Sequence, residues 1–538
     1  MKDSRRRSTG IGPIAGDVHL ACHSRTNPLA KSYLLVFVVA AVLYGISCAP
    51  GAAWQDSGLI QYRVWHRDIE GRLGLALSHP LYYLIAIGAA RIPLGEFGHR
   101  VNCVSAMAGA FAVANLYLLV RLWLGRIFPA AVAAATLALS HTFWWHASIA
   151  ETYTLWSALF LGELICLLQY TRTGRRGFLY LLGLLNGTAL AVHMLSSIPM
   201  ACYAVLLVIL LTRKTIRPKH AVIVVLLWIV GALPYEILIV KDIVESGDAG
   251  AVLASAAFGE RWRTDVLNAT LSWKIVGENV LLILLNFPTP NVLLFFAGCC
   301  GLRRVGPAAF RNVLVALLAL FLLFAFRYTV ADRYAFFIPF YCIVAVVVAV
   351  GTQQVLSRLR HRIASCAIAA FLLLPIGVYA ALPEWAERAG LRIGTRQDIP
   401  YRDDYEYFLR PWRTGYVGAE RFAREALQTV ENDAVIWADI TTAAPLLYAQ
   451  EIEGLRPDVK IISGFASTEG APIVSEQTLP TLLAERPVYV VSLMPKYCPA
   501  FVCEKYRLVR TGVLWRVTEE TQDSAGRKAR VHEMHQVQ

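Results

Sequence analysis

The run His79-Pro80-Leu81-Tyr82-Tyr83-Leu84-Ile85-Ala86-Ile87-Gly88-Ala89-Ala90-Arg91-Ile92-Pro93-Leu94 is apolar enough to suggest a membrane crossing, and its reading sets the topology of everything that follows. Arg91 and Pro93 cut it short. Counting it as a span would also place the basic connection from Arg121 to Arg126 opposite the other basic loops, against the positive-inside bias. Residues 51–100 are therefore read as one long external loop carrying one or two helices that lie on or dip into the membrane surface.

Outward from that loop, apolar runs occur near residues 32–50, 101–120, 126–142, 152–170, 177–195, 197–212, 221–240, 281–302, 312–327, 335–353 and 363–382. At ~20 residues per crossing, they predict about eleven helices. Arg172, Arg175, Arg176, then Arg213, Lys214, Arg217, Lys219, then Arg303, Arg304, Arg311, then Arg358, Arg360, Arg362 make every second connection basic. The connections near 143–151 and 194–198 hold no Lys or Arg. This pattern predicts an internal N-terminus and an external C-terminus.

Composition agrees with a polytopic membrane protein. The 538-residue chain is 57% hydrophobic and 17% charged, with a mean hydropathy of +0.50, too apolar for one soluble globule. Its net charge of +13 sits in short runs between apolar segments, so no nucleic-acid partner is expected. Residues 1–31, with Arg5-Arg6-Arg7, read as a basic, disordered cytoplasmic tail ahead of a transmembrane domain at 32–382. Beyond residue 383 the charges, Gly and Pro spread out. The runs 434–438, 459–463 and 487–491 look like buried strands, alternating with helical patterns at 419–430 and 442–453. They predict a small external α/β domain over 383–520, followed by a disordered tail at 521–538. The fold class expected is mainly α: a polytopic helical bundle with a small C-terminal α/β domain. Most of the 11 cysteines fall in apolar runs, but Cys498 and Cys503 sit together in a polar region, where they could pair in an oxidising compartment.

The unusual polar residues gather on the external side. Asp56 and His79 fall in the first loop, Glu151 in the second and His193 at the outer end of the fifth span. Arg327, Asp332, Arg333 and Tyr334 lie between the ninth and tenth spans. Carboxylates, imidazoles and guanidiniums at one membrane face suggest group transfer between a lipid-linked anion and a water-side acceptor. No Gly-rich phosphate loop follows a strand and no Cys/His spacing suggests zinc, so a nucleotide-sugar enzyme or kinase is not supported.

Trp54-Gln55-Asp56-Ser57-Gly58 with His79-Pro80, Thr142-Phe143-Trp144-Trp145 followed by Ala150-Glu151-Thr152-Tyr153, Val192-His193-Met194, and Asp332-Arg333-Tyr334-Ala335-Phe336-Phe337-Ile338-Pro339 together resemble the GT-C-type multispan glycosyltransferases, within them a protein O-mannosyltransferase-like branch. The resemblance extends to Leu446, Tyr448, Glu451 and Arg456-Pro457-Asp458-Val459 and departs at Gly71 to Ser78, usually richer in Gly and Pro. It implies transfer of a sugar, with mannose one candidate, from a polyprenyl-phosphate donor among the membrane lipids to a protein or glycan hydroxyl; the compact, Ala/Arg-rich chain points to a bacterial inner membrane. Asp56 would be the general base and Glu151 a second carboxylate that orients the acceptor or helps hold a divalent metal ion. His79 and His193 would contact the lipid phosphate, with Arg333 as its clamp, Arg327 as a weaker second choice, and Tyr334 beside them.

Each of these has a plainer alternative: Asp56 as the N-cap of a helix beginning near Ser57, Glu151 as a first-turn residue of the fourth span, the histidines as satisfied structural residues, and Arg333 paired with Asp332 or snorkelling. Glu163, within the fourth span, has no assigned role. A transporter or flippase is the alternative function, although the two halves show no convincing repeat.

Overall fold

The computed structural model describes residues 28–521, excepting 260–262, 331, 360, 392, 394–398, 465 and 495–497. Of the tails expected at 1–31 and 521–538, residues 1–27 and 522–538 lie outside the described residues, while 28–31 open the first helix and Thr521 ends the last strand. The chain is an integral, multi-pass membrane protein. Helices α1 (Pro28–Ser47), α2 (Gln55–Trp65), α3 (Pro80–Ala90), α4 (Phe97–Leu124), α5 (Ile127–Ala138), α6 (His141–Ala147), α7 (Tyr153–Thr173) and α8 (Arg176–Leu190) form the first half. They are followed by α9 (Ser197–Thr212), α10 (Pro218–Ser246), α11 (Ala249–Phe258), α12 (Arg263–Val266), α13 (Trp273–Asn286), α14 (Leu293–Leu302), α15 (Ala308–Arg327), α16 (Ile338–Arg358) and α17 (His361–Arg388).

Among the described residues, eight helical segments are long and apolar enough to cross a membrane, or ten if two bent pairs each count as one span: α5 with α6, bent by 68°, and α13 with α14, bent by 110°. All eleven expected runs are helical; the difference in count lies in α8, whose 15 residues rise only about 22 Å. The decisive run at 79–94 holds α3, 11 residues long, about 16 Å and roughly half the hydrocarbon thickness. The loop 51–100 accordingly carries two short helices, α2 and α3.

The spans pack through small residues. A methyl group at Gly187 would meet the Trp228 carbonyl oxygen at 2.0 Å, and one at Gly351 would meet that of Leu294 at 1.9 Å. Only glycine lets α8 reach α10, and α14 reach α16, that closely, so contact between backbones does the work that hydrophobic burial does in water.

Beyond α17 come α18 (Asp404–Leu409), α19 (Gly418–Thr429), β1 (Val435–Trp437), α20 (Ile440–Glu451), β2 (Lys460–Ile462), α21 (Leu479–Glu485), β3 (Val488–Val490), α22 (Ala500–Lys505), β4 (Tyr506–Thr511) and β5 (Leu514–Thr521). The three expected strands are β1, β2 and β3, all parallel. The hairpin β4–β5 was not foreseen; it completes the sheet in the order β2-β1-β3-β5-β4, with β5 antiparallel to β3. Arg507, Arg510 and Arg516 interrupt its apolar residues, so it lacks the continuous apolar run that marked the parallel strands. Ala419, Phe422, Ala423, Ala426 and Leu427 form the buried stripe of α19, a helical period facing one way. That stripe packs in one core with Trp54, Trp145 and the buried side of α20. The α/β unit is therefore seated on the loop 51–100. Cys498 and Cys503 come together as expected, with their sulfurs 2.7 Å apart.

Candidate active site

A cleft of about 320 Å³ opens where α2, the α6–α7 connection, the segment before α16 and α18 meet. Asp56, Glu151 and Asp332 all line it, with Trp54, Trp145, Tyr153, Tyr334 and Tyr407 among its aromatic walls. Asp56 is in the first turn of α2, which runs from Gln55, and Trp54 holds the N-cap position without a side-chain capping bond. Asp56 is therefore not the helix cap that the sequence allowed as an alternative. The positive end of α2 faces the cleft beside it.

Both carboxylate-bearing loops hang on one buried amide pair. Asn102 Nδ2 donates to the carbonyls of Ala49 (3.1 Å) and Gly51 (3.2 Å), while its Oδ1 accepts from the amide of Ala150 at 3.0 Å. Gln61 Nε2 donates to Asn102 Oδ1 and to the Gly51 carbonyl, each at 3.0 Å, and Gln61 Oε1 accepts from the Ala53 amide at 3.0 Å. Ser105 Oγ then accepts from the Glu151 amide at 2.8 Å and donates to the Glu151 carbonyl at 2.7 Å. Asn102, Gln61 and Ser105 are all 0% exposed. Deep in an apolar bundle such groups persist only when fully bonded, and here the bonds fix where Asp56 and Glu151 stand.

Glu151 precedes the first residue of α7 by two positions, and Ser57 Oγ donates to its Oε1 at 3.3 Å. Burial, and then the charges of Asp56 and Asp332, hold its carboxyl well above the usual range. Glu151 is therefore driven to keep its proton.

The histidines stand behind this layer. The rings of His79 and His193 stack at 5.0 Å, and His193 lies 5.0 Å from Tyr153, which lines the cleft. His79 Nδ1 is 2.8 Å from the Val192 carbonyl, so it carries the proton it donates there, whereas His193 Nδ1 accepts from the Leu195 amide at 3.1 Å. Burial pushes His79 down to about 4 and His193 well below the usual range. Both rings are neutral at neutral pH, so any phosphate contact they make is that of a neutral donor.

Neither arginine lines the cleft. Arg333 pairs with Glu278 and donates from Nε to Asn279 Oδ1 at 3.2 Å; its partner is thus Glu278 on α13, not the adjacent Asp332. Arg327 donates to the carbonyls of Val266 and, at 2.8 Å, Asn268. Tyr334 is in the wall, its ring 5.8 Å from that of Trp145.

The segment 399–416 contributes a wall with no sequence forewarning. Arg413 is 2% exposed; its guanidinium lies 4.5 Å from the Tyr407 ring and 5.3 Å from that of Trp145, and it donates to the Tyr407 and Trp412 carbonyls. Its amide donates to the Ser47 carbonyl at 2.7 Å, stitching the segment to the end of α1. Tyr407 and Arg413 sit in a stretch without periodicity, so only the density of aromatic and Arg residues over 401–416 could have flagged them.

The chain is thus a bent, polytopic bundle whose α/β unit sits beside an acidic, aromatic-walled cleft. A sequence model of the protein O-mannosyl-transferase TMEM260 N-terminal domain matches residues 76–217. The chain shares its fold with ArnT from Cupriavidus metallidurans in the apo state at 13% identity and a TM-score of 0.60, over 91% of this chain and 98% of that one. The same protein bound to undecaprenyl phosphate gives 12% identity and a TM-score of 0.53, over 91% and 98%. A search of characterised protein sequences finds no match. The resemblance read from the sequence, to GT-C-type glycosyltransferases with an O-mannosyltransferase-like stretch, is thus met by both comparisons.

Proposed function

We propose that the chain is an integral-membrane glycosyltransferase that moves a sugar from a polyprenyl-phosphate donor to an acceptor hydroxyl. The observation that carries this reading is the convergence of Asp56, Glu151 and Asp332 in one cleft of a GT-C-type bundle. The likeness to ArnT, one structure of which holds undecaprenyl phosphate, supports the donor class, and the O-mannosyltransferase model supports mannose as the sugar and a protein or glycan as acceptor.

Asp56 takes the proton from the acceptor hydroxyl as its oxygen attacks the anomeric carbon; the bond to the phosphate oxygen breaks and the lipid phosphate leaves. Glu151, holding a proton, donates a hydrogen bond to sugar or acceptor. Trp54, Trp145 and Tyr407 line the space for the sugar, and Arg413, packed against Trp145 and Tyr407, adds a fixed positive charge that, with the N-terminus of α2, favours the departing phosphate. A divalent cation, if bound, would be held by Asp56 and Asp332, with Glu151 joining them only on release of its proton, and would help stabilise the leaving phosphate. The basic-loop pattern supports placing the cleft and the α/β unit on the external, periplasmic face of a bacterial inner membrane. The test is transfer from a polyprenyl-phosphate mannose by membranes carrying Asp56→Asn: undiminished product would remove Asp56 from the chemistry.

A further inference from the structure

Six residues before Trp54, a second group of chemistry-bearing side chains meets at the same end of the bundle. One ligand atom each from Cys48, His99 and Cys103 lies within 4.8 Å of the other two. His99 and Cys103 are four apart on the first turns of α4 and so share a face, while Cys48 follows directly on α1. The three are thus brought together by the packing of α1 on α4, and no sequence spacing announces them.

We propose that Cys48, His99 and Cys103 bind a zinc ion. Tetrahedral zinc, with bonds of about 2.3 Å to sulfur and about 2.0 Å to nitrogen, needs its ligand atoms roughly 3.5–3.8 Å apart. His99 Nε2 stands 3.4 Å from Cys103 Sγ. The opposite ring nitrogen, Nδ1, is 3.0 Å from the Ala49 carbonyl, so the proton sits there and the lone pair of Nε2 points at the thiols. A backbone carbonyl on the far nitrogen is the usual orienting partner of a metal-bound histidine. Two thiolates and one imidazole form a soft donor set that favours zinc over magnesium or calcium. Cys48 is buried, whereas His99 and Cys103 are half-buried, which leaves an entry path and a fourth position for water. The ion would tie the end of α1 to the start of α4 and so pin the turn 48–53, whose Ala49 carbonyl is held by both His99 and Asn102.

The test uses the full chain, purified in detergent under reducing conditions and dialysed against buffered zinc. One zinc per chain by elemental mass spectrometry is expected, together with a thiolate-to-metal charge-transfer band when cobalt replaces zinc. Cys103→Ser and His99→Ala each weaken zinc binding by about 100-fold or more, beyond the 10–100-fold typical of losing an orienting partner, while Cys498→Ser/Cys503→Ser keeps it. Because a variant could misfold, the wild type is also alkylated with and without zinc, and zinc should protect Cys48 and Cys103. No zinc, zinc retained in Cys103→Ser, loss on replacing Cys498 and Cys503, or a Cys48–Cys103 disulfide in protein isolated without reductant would each overturn the site. None of these readouts depends on sugar transfer.

Discussion

Asp332 and Arg333 are neighbours in the chain, yet they serve two different regions. Asp332 enters the cleft with Asp56 and Glu151, while Arg333 turns to Glu278 and Asn279 on α13. The backbone between them enters a 3-10 turn at Arg333–Phe337, whose three residues per turn swing successive side chains well apart. The cleft concentrates like charge and strains its protonation; the rim pairs opposite charge and satisfies it. Charges that repel are kept together where chemistry needs them, and charges that attract hold the surrounding walls. Replacements in the two regions should therefore part company: transfer is lost in the cleft and barely changed at the rim.

The largest effect belongs to Asp56→Asn, which keeps shape but removes the proposed base. Transfer falls about 10²- to 10⁴-fold with an unchanged unfolding midpoint, measured with the lipid-linked donor and by thermal unfolding in detergent. A midpoint drop accompanying the loss would make Asp56 structural. Asn102→Ala comes next. It releases both carboxylate loops at once and leaves the Ala49 carbonyl with one fewer donor and the Ala150 amide without its side-chain acceptor, so stability falls by about 1–3 kcal/mol and transfer by about 10²-fold from misplacement. Asn102→Asp, which can still accept from Ala150, recovers part of the transfer. At the rim, Arg333→Gln breaks a pair whose acidic partner is 40% exposed; about 0–1 kcal/mol is expected, with transfer within about tenfold of wild type. If Arg333→Gln instead matches Asp56→Asn, the guanidinium reaches the phosphate during turnover and the division between cleft and rim fails.

Much of this was legible in the sequence, and the gaps have identifiable causes. The spans, the surface helices and the three parallel strands are periodic or continuous apolar runs, so burial wrote them plainly. Asp56 and Glu151 stood out because carboxylates beside spans are costly unless used. Arg333 was misdirected because position along a chain does not say which way a side chain turns. Asn102 and Gln61 were passed over since a single amide among apolar residues shows no pattern until its partners, 41 residues apart, are seen. Tyr407 and Arg413 come from a loop whose contact with the bundle depends on tertiary packing alone.

The smallest effect is a pH dependence in which the cleft opposes the ring pair behind it. Glu151 has its folded value raised above 4.5, so in the window above 4.5 the folded state keeps a proton that the unfolded chain has released. Its contribution is full below that window and is lost as pH rises through the folded value. His79 is lowered from 6.5 to about 4, so its contribution is full above pH 6.5 and is lost as pH falls toward 4. Over pH 4.5–6.5 the two slopes have opposite sign and partly cancel in the wild type. Single replacements separate them. Glu151→Gln, neutral at every pH, should make the unfolding midpoint climb more steeply with pH, because only the histidine slope remains. His79→Asn keeps a residue that tolerates the positive φ of 50° found there, and it should make the midpoint climb less steeply with pH than in the wild type, while His193, also lowered by burial, keeps part of the histidine slope. Parallel curves for wild type and Glu151→Gln would mean that Glu151 is ionised like any exposed carboxylate, and the crowding of charge that distinguishes cleft from rim would lose its basis.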